Sequence, residues 1–237
     1  MFRKFASMNA TNLQQLDDAI LLALREDVGT GDHTSLATIP ATAMGQARLL
    51  IKEDGILAGV EAAVRVAYHV NPALQVNVLL TDGTPVKVGD VAFTIAGKTQ
   101  DITIAERLLL NIMQRMSGIA THTHRIQSMI AHTSCKLLDT RKTTPNFRFF
   151  EKWAVKIGGG ENHRFGLFDM ILVKDNHVDF AGGMSAAIQN VKQYLQEKNL
   201  DIPVEIEARN MADVKTIVDS NMAFRVLLDN FTPDQIR

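Results

Sequence analysis

The sequence predicts an α/β protein with two regions that differ in how strands and helices follow one another. Residues 1–115 mix short apolar strands with a few helices, which is an α+β pattern. Residues 116–237 instead alternate short apolar strands with helical stretches. Strict alternation of this kind is typical of a parallel sheet with right-handed crossovers. We therefore predict an N-terminal α+β domain over residues 1–115 and a parallel α/β domain over residues 116–237.

The composition is that of a soluble globular protein. Of the 237 residues 46% are hydrophobic and 22% are charged, and the formal net charge is −1. No apolar run approaches the ~18–20 residues of a membrane helix, and the charge balance gives no general attraction for nucleic acid or anionic membranes. Arg3 and Lys4 precede polar residues instead of the apolar core of a signal peptide, and the single Cys135 cannot form an internal disulfide. We expect a cytoplasmic protein that binds neither nucleic acid nor membrane.

The N-terminal elements follow from local signals. Thr11 and Gln14 have the spacing of a capping box, so a helix is predicted over residues 11–26. The glycine-rich residues 27–35 predict a loop. Apolar and β-branched runs predict the strands, and helical spacing predicts one further helix: strands 46–52, 74–80 and 91–95, and helix 60–70.

The second region supplies too few strands to close an eight-stranded barrel. Helices are predicted over residues 104–115 and 118–131, interrupted at Ser117-Gly118. The remaining elements are strands 136–138, 170–173, 203–206 and 225–228, with helices at 147–157, 185–198 and 211–219. A closed (β/α)8 barrel usually takes about 250 residues. The chain cannot complete one alone, and Thr232-Pro233-Asp234 indicate the start of another helix.

Charged residues stand at the end of each predicted strand of this region. They are Asp139 to Lys142, Lys174 to His177, the pair Glu205 and Glu207, and Asp229. Because parallel strands end at the same edge, ligands bind there. Cations dominate residues 139–177 and carboxylates follow later, which suits an anionic substrate beside a metal-bound polyphosphate. Glu207 and Asp229 are oxygen ligands of the kind that Mg²⁺ accepts, and ion pairing between strands is the alternative interpretation.

The segment Gly158-Gly159-Gly160-Glu161-Asn162-His163-Arg164 is the other unusual stretch. Three successive glycines predict either a close approach of the backbone to another group or a mobile loop. His163 has two interpretations, a structural hydrogen-bonding residue or part of a site, and the adjacent Arg164 favours the site.

An ordered series of motifs spans nearly the whole chain. Its most specific members are Asp139-Thr140-Arg141-Lys142-Thr143-Thr144-Pro145, the glycine-rich segment 158–164, Lys174-Asp175-Asn176-His177 and Leu228-Asp229-Asn230-Phe231. Residues 26–35, 106–111 and 114–121 precede them. In this order the motifs resemble the quinolinate phosphoribosyltransferase family, the carboxylating nicotinate-nucleotide pyrophosphorylases of NAD biosynthesis.

The resemblance implies a fold and a reaction. The fold is an N-terminal α/β sandwich over residues 1–115, followed by an open, incomplete α/β barrel with parallel strands over residues 116–237, and subunits that pair as a homodimer. The reaction joins quinolinate to 5-phosphoribosyl 1-pyrophosphate (PRPP) with Mg²⁺ and releases nicotinate mononucleotide, pyrophosphate and carbon dioxide. Family members usually continue beyond the Asp-Asn-Phe segment into loops that bind phosphate. The C-terminal part is therefore expected to be missing, in a fragment or in a protein that has lost part of this site.

The resemblance also implies roles for particular side chains. Quinolinate carboxylates would be held by Arg141, His163 and Arg164, with Arg107 reaching in from the partner subunit. The full substrate-binding set is Arg107, Thr140, Arg141, Lys142, His163, Arg164, Lys174, Glu207 and Asp229; the catalytic residues are Lys142, Glu207 and Asp229, and the last two are the metal ligands. Two positions depart from the family pattern, Asn146 in place of a common glycine and Arg209 beside the proposed metal site.

Two alternative functions remain open at this point. A paralogous pyrophosphorylase-like protein would keep the phosphoribosyl part of the site and bind another base. The presence of Arg141, His163 and Arg164 together argues against this alternative. A truncated, non-catalytic anion-binding module is the other alternative. Release of carbon dioxide from quinolinate distinguishes catalysis from binding alone.

Overall fold

The computed structural model describes residues 10–237, with only the main chain of Ala10, so that Arg3 and Lys4 lie outside the described residues. The described residues form two compact units, one ending at His163 and the other comprising Arg164–Arg237. The predicted domain boundary between residues 115 and 116 falls within a helix of the first unit. The division into domains at that point stays a prediction.

The first unit has the predicted α+β character. Its elements are α1 (Ala10–Val28), α2 (His33–Thr38), β1 (Met44–Leu50), β2 (Gly55–Ile56), α3 (Val60–Val70), β3 (Gln75–Val78), β4 (Pro85–Val86), β5 (Val91–Lys98), α4 (Thr99–Met129) and α5 (Arg148–Ile157). Strands β1, β5 and β3 form an antiparallel sheet in that order, and β2 pairs with β4. Apolar side chains at helical or alternate spacing, among them Leu16, Val66, Phe93 and Met116, form one buried core.

Helix α4 corrects the prediction of two helices in this stretch. It runs without interruption for 31 residues, through Ser117 and Gly118. The Ser117 hydroxyl accepts a hydrogen bond from the Ala58 amide (3.0 Å) and donates one to the Ala58 carbonyl (3.1 Å). One turn later the Thr121 hydroxyl accepts from the Ile56 amide (2.8 Å). These polar residues hold the β2 segment against the helix, so tertiary contacts outweigh the low helix propensity of a Ser-Gly pair.

Two further predictions in the first unit are wrong. The end of the predicted loop 27–35 is helical, because the Asp32 side chain accepts from the Ser35 amide (3.0 Å) and caps α2. The predicted strand 136–138 makes only an isolated bridge between Leu138 and Glu161. The Leu137 amide instead donates to the Gln127 side chain (3.0 Å), which replaces a ladder partner.

The second unit contains the predicted parallel sheet. Its elements are β6 (Ile171–Val173), α6 (Asp175–Ala181), α7 (Met184–Lys198), β7 (Val204–Ala208), α8 (Met211–Ser220), β8 (Arg225–Leu228) and α9 (Pro233–Ile236). Strands β6, β7 and β8 pair in parallel in this order. Helix α9 confirms the predicted helix start after Thr232. Helix α6 was missed, because its first residues were interpreted as the charged end of the preceding strand.

The alternation along β7 decides which side chains reach the polar face of this sheet. Val204, Ile206 and Ala208 lie in the apolar core of the unit. The intervening Glu205 and Glu207 point to the opposite face, as the period of two in a strand requires. The residues that follow β6 and β8 stand at the same carboxyl edge. In the described part of the chain no helix is long and apolar enough to cross a membrane.

Candidate functional site

The loop that follows Leu138 has a defined main-chain conformation. The Thr140 hydroxyl accepts from the Lys142 amide (3.0 Å), and the Arg141 carbonyl accepts from the Thr143 amide (2.9 Å). Asn146 has a φ of 61°, in the left-handed region. Asparagine tolerates this region better than most residues. This explains why Asn146 can stand where the family that the motifs resemble commonly has glycine. Local side chain to backbone bonds therefore shape the loop.

Arg141 is the residue of this loop with unmet hydrogen-bonding capacity. The residue is half-buried. Its Nε atom is buried and has no hydrogen-bond partner among the described residues. A buried guanidinium donor without a partner is costly, and an anionic ligand removes the cost because the planar fork matches a carboxylate. The side chain of Lys142 is exposed beside it.

Glu151 ties the far end of the loop to two helices. It lies on α5 with its side chain 9% exposed, and Arg115 on α4 donates to Glu151 Oε1 from Nη2 (2.7 Å) and Nε (3.0 Å). The Thr144 hydroxyl donates to the same oxygen (2.8 Å), and the Thr144 amide donates to Oε2 (3.2 Å). Burial acts to raise the pKa of Glu151, but the hydrogen bonds from Arg115 and Thr144 outweigh it and hold the pKa below its usual value.

A buried ion pair connects α5 to the segment that contains His163. The Lys152 ammonium donates to Asp139 Oδ1 and to the His163 carbonyl (3.0 Å). Asp139 Oδ1 also accepts from the His163 amide (2.8 Å), and Asp139 Oδ2 accepts from Asn162 Nδ2 (2.5 Å). The side chains of Lys152 and Asp139 are 4% and 8% exposed. The amide and the carbonyl of His163 are thus both hydrogen-bonded to this ion pair.

The three glycines before His163 are explained by contacts within the protein. A Cβ on Gly158 would lie 2.4 Å from the Ala120 carbonyl of α4. A Cβ on Gly160 would lie 2.8 Å from Val155 Cγ1, and Gly159 has a φ of 92°. Two positions therefore need glycine for close approach and one for a left-handed backbone. The glycines were predicted to allow either a close approach of the backbone or a mobile loop. The close approach is confirmed, and the backbone approaches α4.

The carboxyl edge of the parallel sheet brings Lys174, Glu207 and Asp229 together. Lys174 follows β6, and its Nζ lies 4.0 Å from Glu207 Oε2. The Asp229 amide donates to the Ala208 carbonyl (3.1 Å), which places Asp229 next to the end of β7. Glu207 is 7% exposed. Burial, and then the charge of Asp229, raises the pKa of Glu207 above its usual value, and Lys174 lowers it to a smaller extent.

Three arginine side chains of this unit are engaged with protein groups. Arg225 Nη1 donates to Glu205 Oε2 (3.0 Å), an ion pair between neighbouring strands. Arg209, beside the predicted metal site, donates to Asp179 (2.9 Å) and Asp213 (3.3 Å), so its charge is paired. Arg164 is half-buried and donates from Nη1 to the Met170 carbonyl (3.2 Å).

The predicted residues therefore divide between the two units. Thr140, Arg141, Lys142 and His163 lie in the first unit on segments that share the Asp139 carboxylate, and Arg107 is exposed on α4. Arg164, Lys174, Glu207 and Asp229 belong to the second unit. The sequence interpretation missed Asp139, Glu151, Lys152 and Asn162 as organising residues. The sequence position of Lys152 indicates its burial, since it falls between Phe150 and Ala154 on an apolar stretch of helix.

A hollow of about 490 Å³ in the first unit lies between α4, the Leu137–Asp139 segment and α5. Its walls include Gly118, His122 and Val155, and none of the nine predicted site residues lines it.

Comparison with known proteins decides the family. The model of the quinolinate phosphoribosyl transferase N-terminal domain matches residues 32–117, and the model of the C-terminal domain matches residues 119–237. The chain belongs to the quinolinate phosphoribosyltransferase family. The α/β fold and the family resemblance predicted from the sequence are confirmed.

Several relatives of this family are close in sequence or structure. A chloroplastic carboxylating nicotinate-nucleotide pyrophosphorylase of Arabidopsis thaliana is 47% identical over 221 residues, which are 91% of this chain and 63% of that protein. A probable carboxylating nicotinate-nucleotide pyrophosphorylase of Synechocystis is 37% identical, covering 89% of this chain and 70% of that protein. The crystal structure of NadC from Streptococcus pyogenes has a TM-score of 0.89 at 34% identity, covering 97% of this chain and 80% of that one. The chain spans less than two thirds of the length of the Arabidopsis relative.

Proposed function

We propose that this protein transfers the phosphoribosyl group of PRPP to quinolinate and decarboxylates the product to nicotinate mononucleotide. Membership of the quinolinate phosphoribosyltransferase family supports the proposal, as do the names of the Arabidopsis and Synechocystis relatives. The observation that carries it is the buried Arg141 Nε without a hydrogen-bond partner among the described residues. Quinolinate is a dianion with adjacent carboxylates, and desolvating them unpaired costs several kcal/mol each, as a rough estimate.

The proposed roles follow the chemistry of each group. Arg141, His163 and Arg164 bind the two carboxylates, and Thr140 and Lys142 support the same substrate. Lys174 binds oxygens of the phosphoribosyl group as a compact charge. Glu207 and Asp229 stabilise positive charge that develops on the ribose as the pyridine nitrogen attacks the anomeric carbon and pyrophosphate leaves with the bonding electrons. The ribosylated nitrogen is then cationic and stabilises the carbanion left on C2 when the 2-carboxylate departs as carbon dioxide. A proton from solvent then adds to C2, so no protein nucleophile is required.

Magnesium is part of this proposal. Glu207 and Asp229 offer carboxylate oxygens at one edge of the sheet, and Mg²⁺ is commonly held by one or two carboxylates plus substrate oxygens and water. Within residues 10–237 no group of three or more His, Cys, Asp or Glu side chains could hold a metal. The donor set fits an ion completed by substrate. When bound, Mg²⁺ would neutralise charge on the departing pyrophosphate.

The proposal includes an assembly and a finer fold. We infer a homodimer in which Arg107, exposed on α4, reaches the quinolinate site of the partner. Mixing Arg107→Ala with Arg141→Ala tests this inference, because a shared site regains activity in the mixed dimer and a self-contained site does not. We also infer that β6, β7 and β8 belong to an open α/β barrel, after an N-terminal sandwich. The cytoplasmic location and the expectation that further phosphate-binding loops lie outside this sequence stay predictions.

The deciding experiment supplies quinolinate, PRPP and Mg²⁺ and follows carbon dioxide release. We expect release that depends on all three components and falls by about 100-fold or more in Arg141→Ala, as for other lost contacts to a charged substrate. Quinolinate binding without release would favour the non-catalytic module. Release of pyrophosphate with another base, but not with quinolinate, would favour a paralogous activity.

A further inference from the structure

One buried ion pair of the first unit binds both main-chain polar groups of a single residue. The His163 amide donates to Asp139 (2.8 Å), and the His163 carbonyl accepts from Lys152 (3.0 Å). Lys152 and Asp139 also bond to each other, and both side chains are more than nine-tenths buried. Such a pair offsets the cost of burying two charges only when the remaining donors and acceptors are also satisfied. The main chain of His163 supplies part of that requirement.

The same cluster sets the spacing between two segments of the proposed site. Asp139 directly precedes Thr140, Arg141 and Lys142 in the chain. Asn162 directly precedes His163, and its Nδ2 donates to Asp139 Oδ2 (2.5 Å) and to the Lys152 carbonyl (2.8 Å). The loop that starts at Asp139 and the segment that ends at His163 are therefore fastened to one carboxylate.

We propose that Asp139, Lys152 and Asn162 are positioning residues, which hold His163 and the Thr140–Lys142 loop at the separation needed to bind a pyridine dicarboxylate. This inference rests on the proposed function. Recognition of two adjacent carboxylates needs donors at a fixed distance, and a displacement of about 1 Å can cost as much as 100-fold in rate. The alternative is that the cluster stabilises the fold and has no specific effect on the substrate.

Asn162→Ala gives the sharpest test, because Asn162 is exposed and uncharged and its removal leaves the buried ion pair in place. Lys156→Met is the matched control, since Lys156 is an exposed residue of the same helix as Lys152. Three quantities are measured: quinolinate affinity by calorimetry, the kinetic constants for carbon dioxide release, and hydrogen exchange of the His163 amide. The midpoint of thermal unfolding is recorded for each variant.

For Asn162→Ala we expect quinolinate affinity to fall about tenfold, because both anchoring hydrogen bonds of Asn162 Nδ2 are lost. The loss should lie in KM for quinolinate, with kcat within about threefold of wild type. The His163 amide should exchange faster, and the unfolding midpoint should move by less than about 4 °C. Lys156→Met should match the wild type in every measurement.

Wild-type affinity in Asn162→Ala would overturn the inference alone. A loss of affinity that appears only together with a lowered unfolding midpoint would also overturn it, since that is the behaviour of a stabilising contact. If the wild-type protein itself does not bind quinolinate, the proposed function is wrong, and this inference is wrong with it. The binding of quinolinate by wild type therefore separates the two failures.

Discussion

The Lys152–Asp139 pair of the first unit and Glu207 of the second are both buried charges, but their surroundings differ. Lys152 and Asp139 bond to each other and to the His163 main chain. Glu207 has the Lys174 ammonium at 4.0 Å, on a side chain that is 47% exposed. Burial, and then the carboxylate of Asp229, raises the pKa of Glu207. Removal of one member of a buried ion pair destabilises the fold, because the other charge is left uncompensated. A buried charge without close partners lowers stability, and a ligand cation can supply the missing partner.

Lys152→Met should produce the largest effect, because it leaves the Asp139 carboxylate buried without its counter-ion. The expected loss is about 3–5 kcal/mol in the free energy of unfolding. Urea denaturation measures it, with Lys156→Met as the control at an exposed site, where a change within about 0.5 kcal/mol is expected. Equal stability of the two variants would remove the distinction between the two kinds of buried charge.

Glu207→Gln should not lower the free energy of unfolding, in contrast to Lys152→Met. Loss of the charge relieves the repulsion from Asp229, so the free energy of unfolding should stay the same or rise. Carbon dioxide release should fall by about 100-fold, or about 2.7 kcal/mol in activation free energy, because the variant lacks the carboxylate that we propose binds the metal and stabilises the ribose.

Glu205→Gln is the matched control for this substitution, on the same face of β7. Glu205 is paired with Arg225, so its substitution should lower stability. A Glu207→Gln variant that unfolds more easily than Glu205→Gln would contradict the assignment of Glu207 to ligand binding.

Glu151 extends the comparison to pH. Its folded-state pKa lies below the unfolded value of about 4.3, so its stabilising contribution is present above that pH and is lost as the pH falls through the folded pKa. Glu151→Gln should lower stability at pH 7 by about 1–2 kcal/mol, a hydrogen-bond loss reduced by the exposure of Arg115. Urea unfolding between pH 3 and pH 7 should show a weaker pH dependence in the variant. An unchanged slope would show that Glu151 has the same pKa in both states.

Glu61 should show the smallest effect, with the reverse sign. Its Oε2 atom is buried without a hydrogen-bond partner among the described residues, and burial, then the charge of Asp82, raises its pKa. Since the folded state holds the proton more tightly, the wild type loses stability as the pH rises above the unfolded value. Glu61→Gln does not titrate and should gain about 1 kcal/mol at pH 7 relative to wild type. The exposed Glu53→Gln is the control, and a gain that is equal at pH 4 and pH 7 would contradict this explanation.

The sequence predicted the elements whose signal is local. Helix 60–70 and strand 225–228 agree with the structure to the residue, because apolar periodicity and flanking turn residues mark both. The parallel direction of the strands in the second region followed from the alternation of strands and helices alone. The charged ends of the strands correctly indicated that Lys174, Glu207 and Asp229 share one edge.

The remainder depends on tertiary contacts that no local pattern carries. Charged helical residues are usually exposed. The burial of Lys152 and Glu151 depends on Asp139 and Arg115 elsewhere in the chain. The short apolar run at residues 136–138 lacks a strand partner beyond one bridge, which is a property of pairing and not of the run itself. Whether Arg141 has a partner is equally invisible in sequence.

Helix α4 has a consequence for recombination between homologous genes. The two family models meet between residues 117 and 119, inside this helix of 31 residues, which at 1.5 Å per residue is about 46 Å long. A chimera joined at that point would set Ile56 of one parent against Thr121 of the other, and Arg115 of the first against Glu151 of the second. Viable crossovers should therefore be rare within α4, even though the seam between family segments lies there.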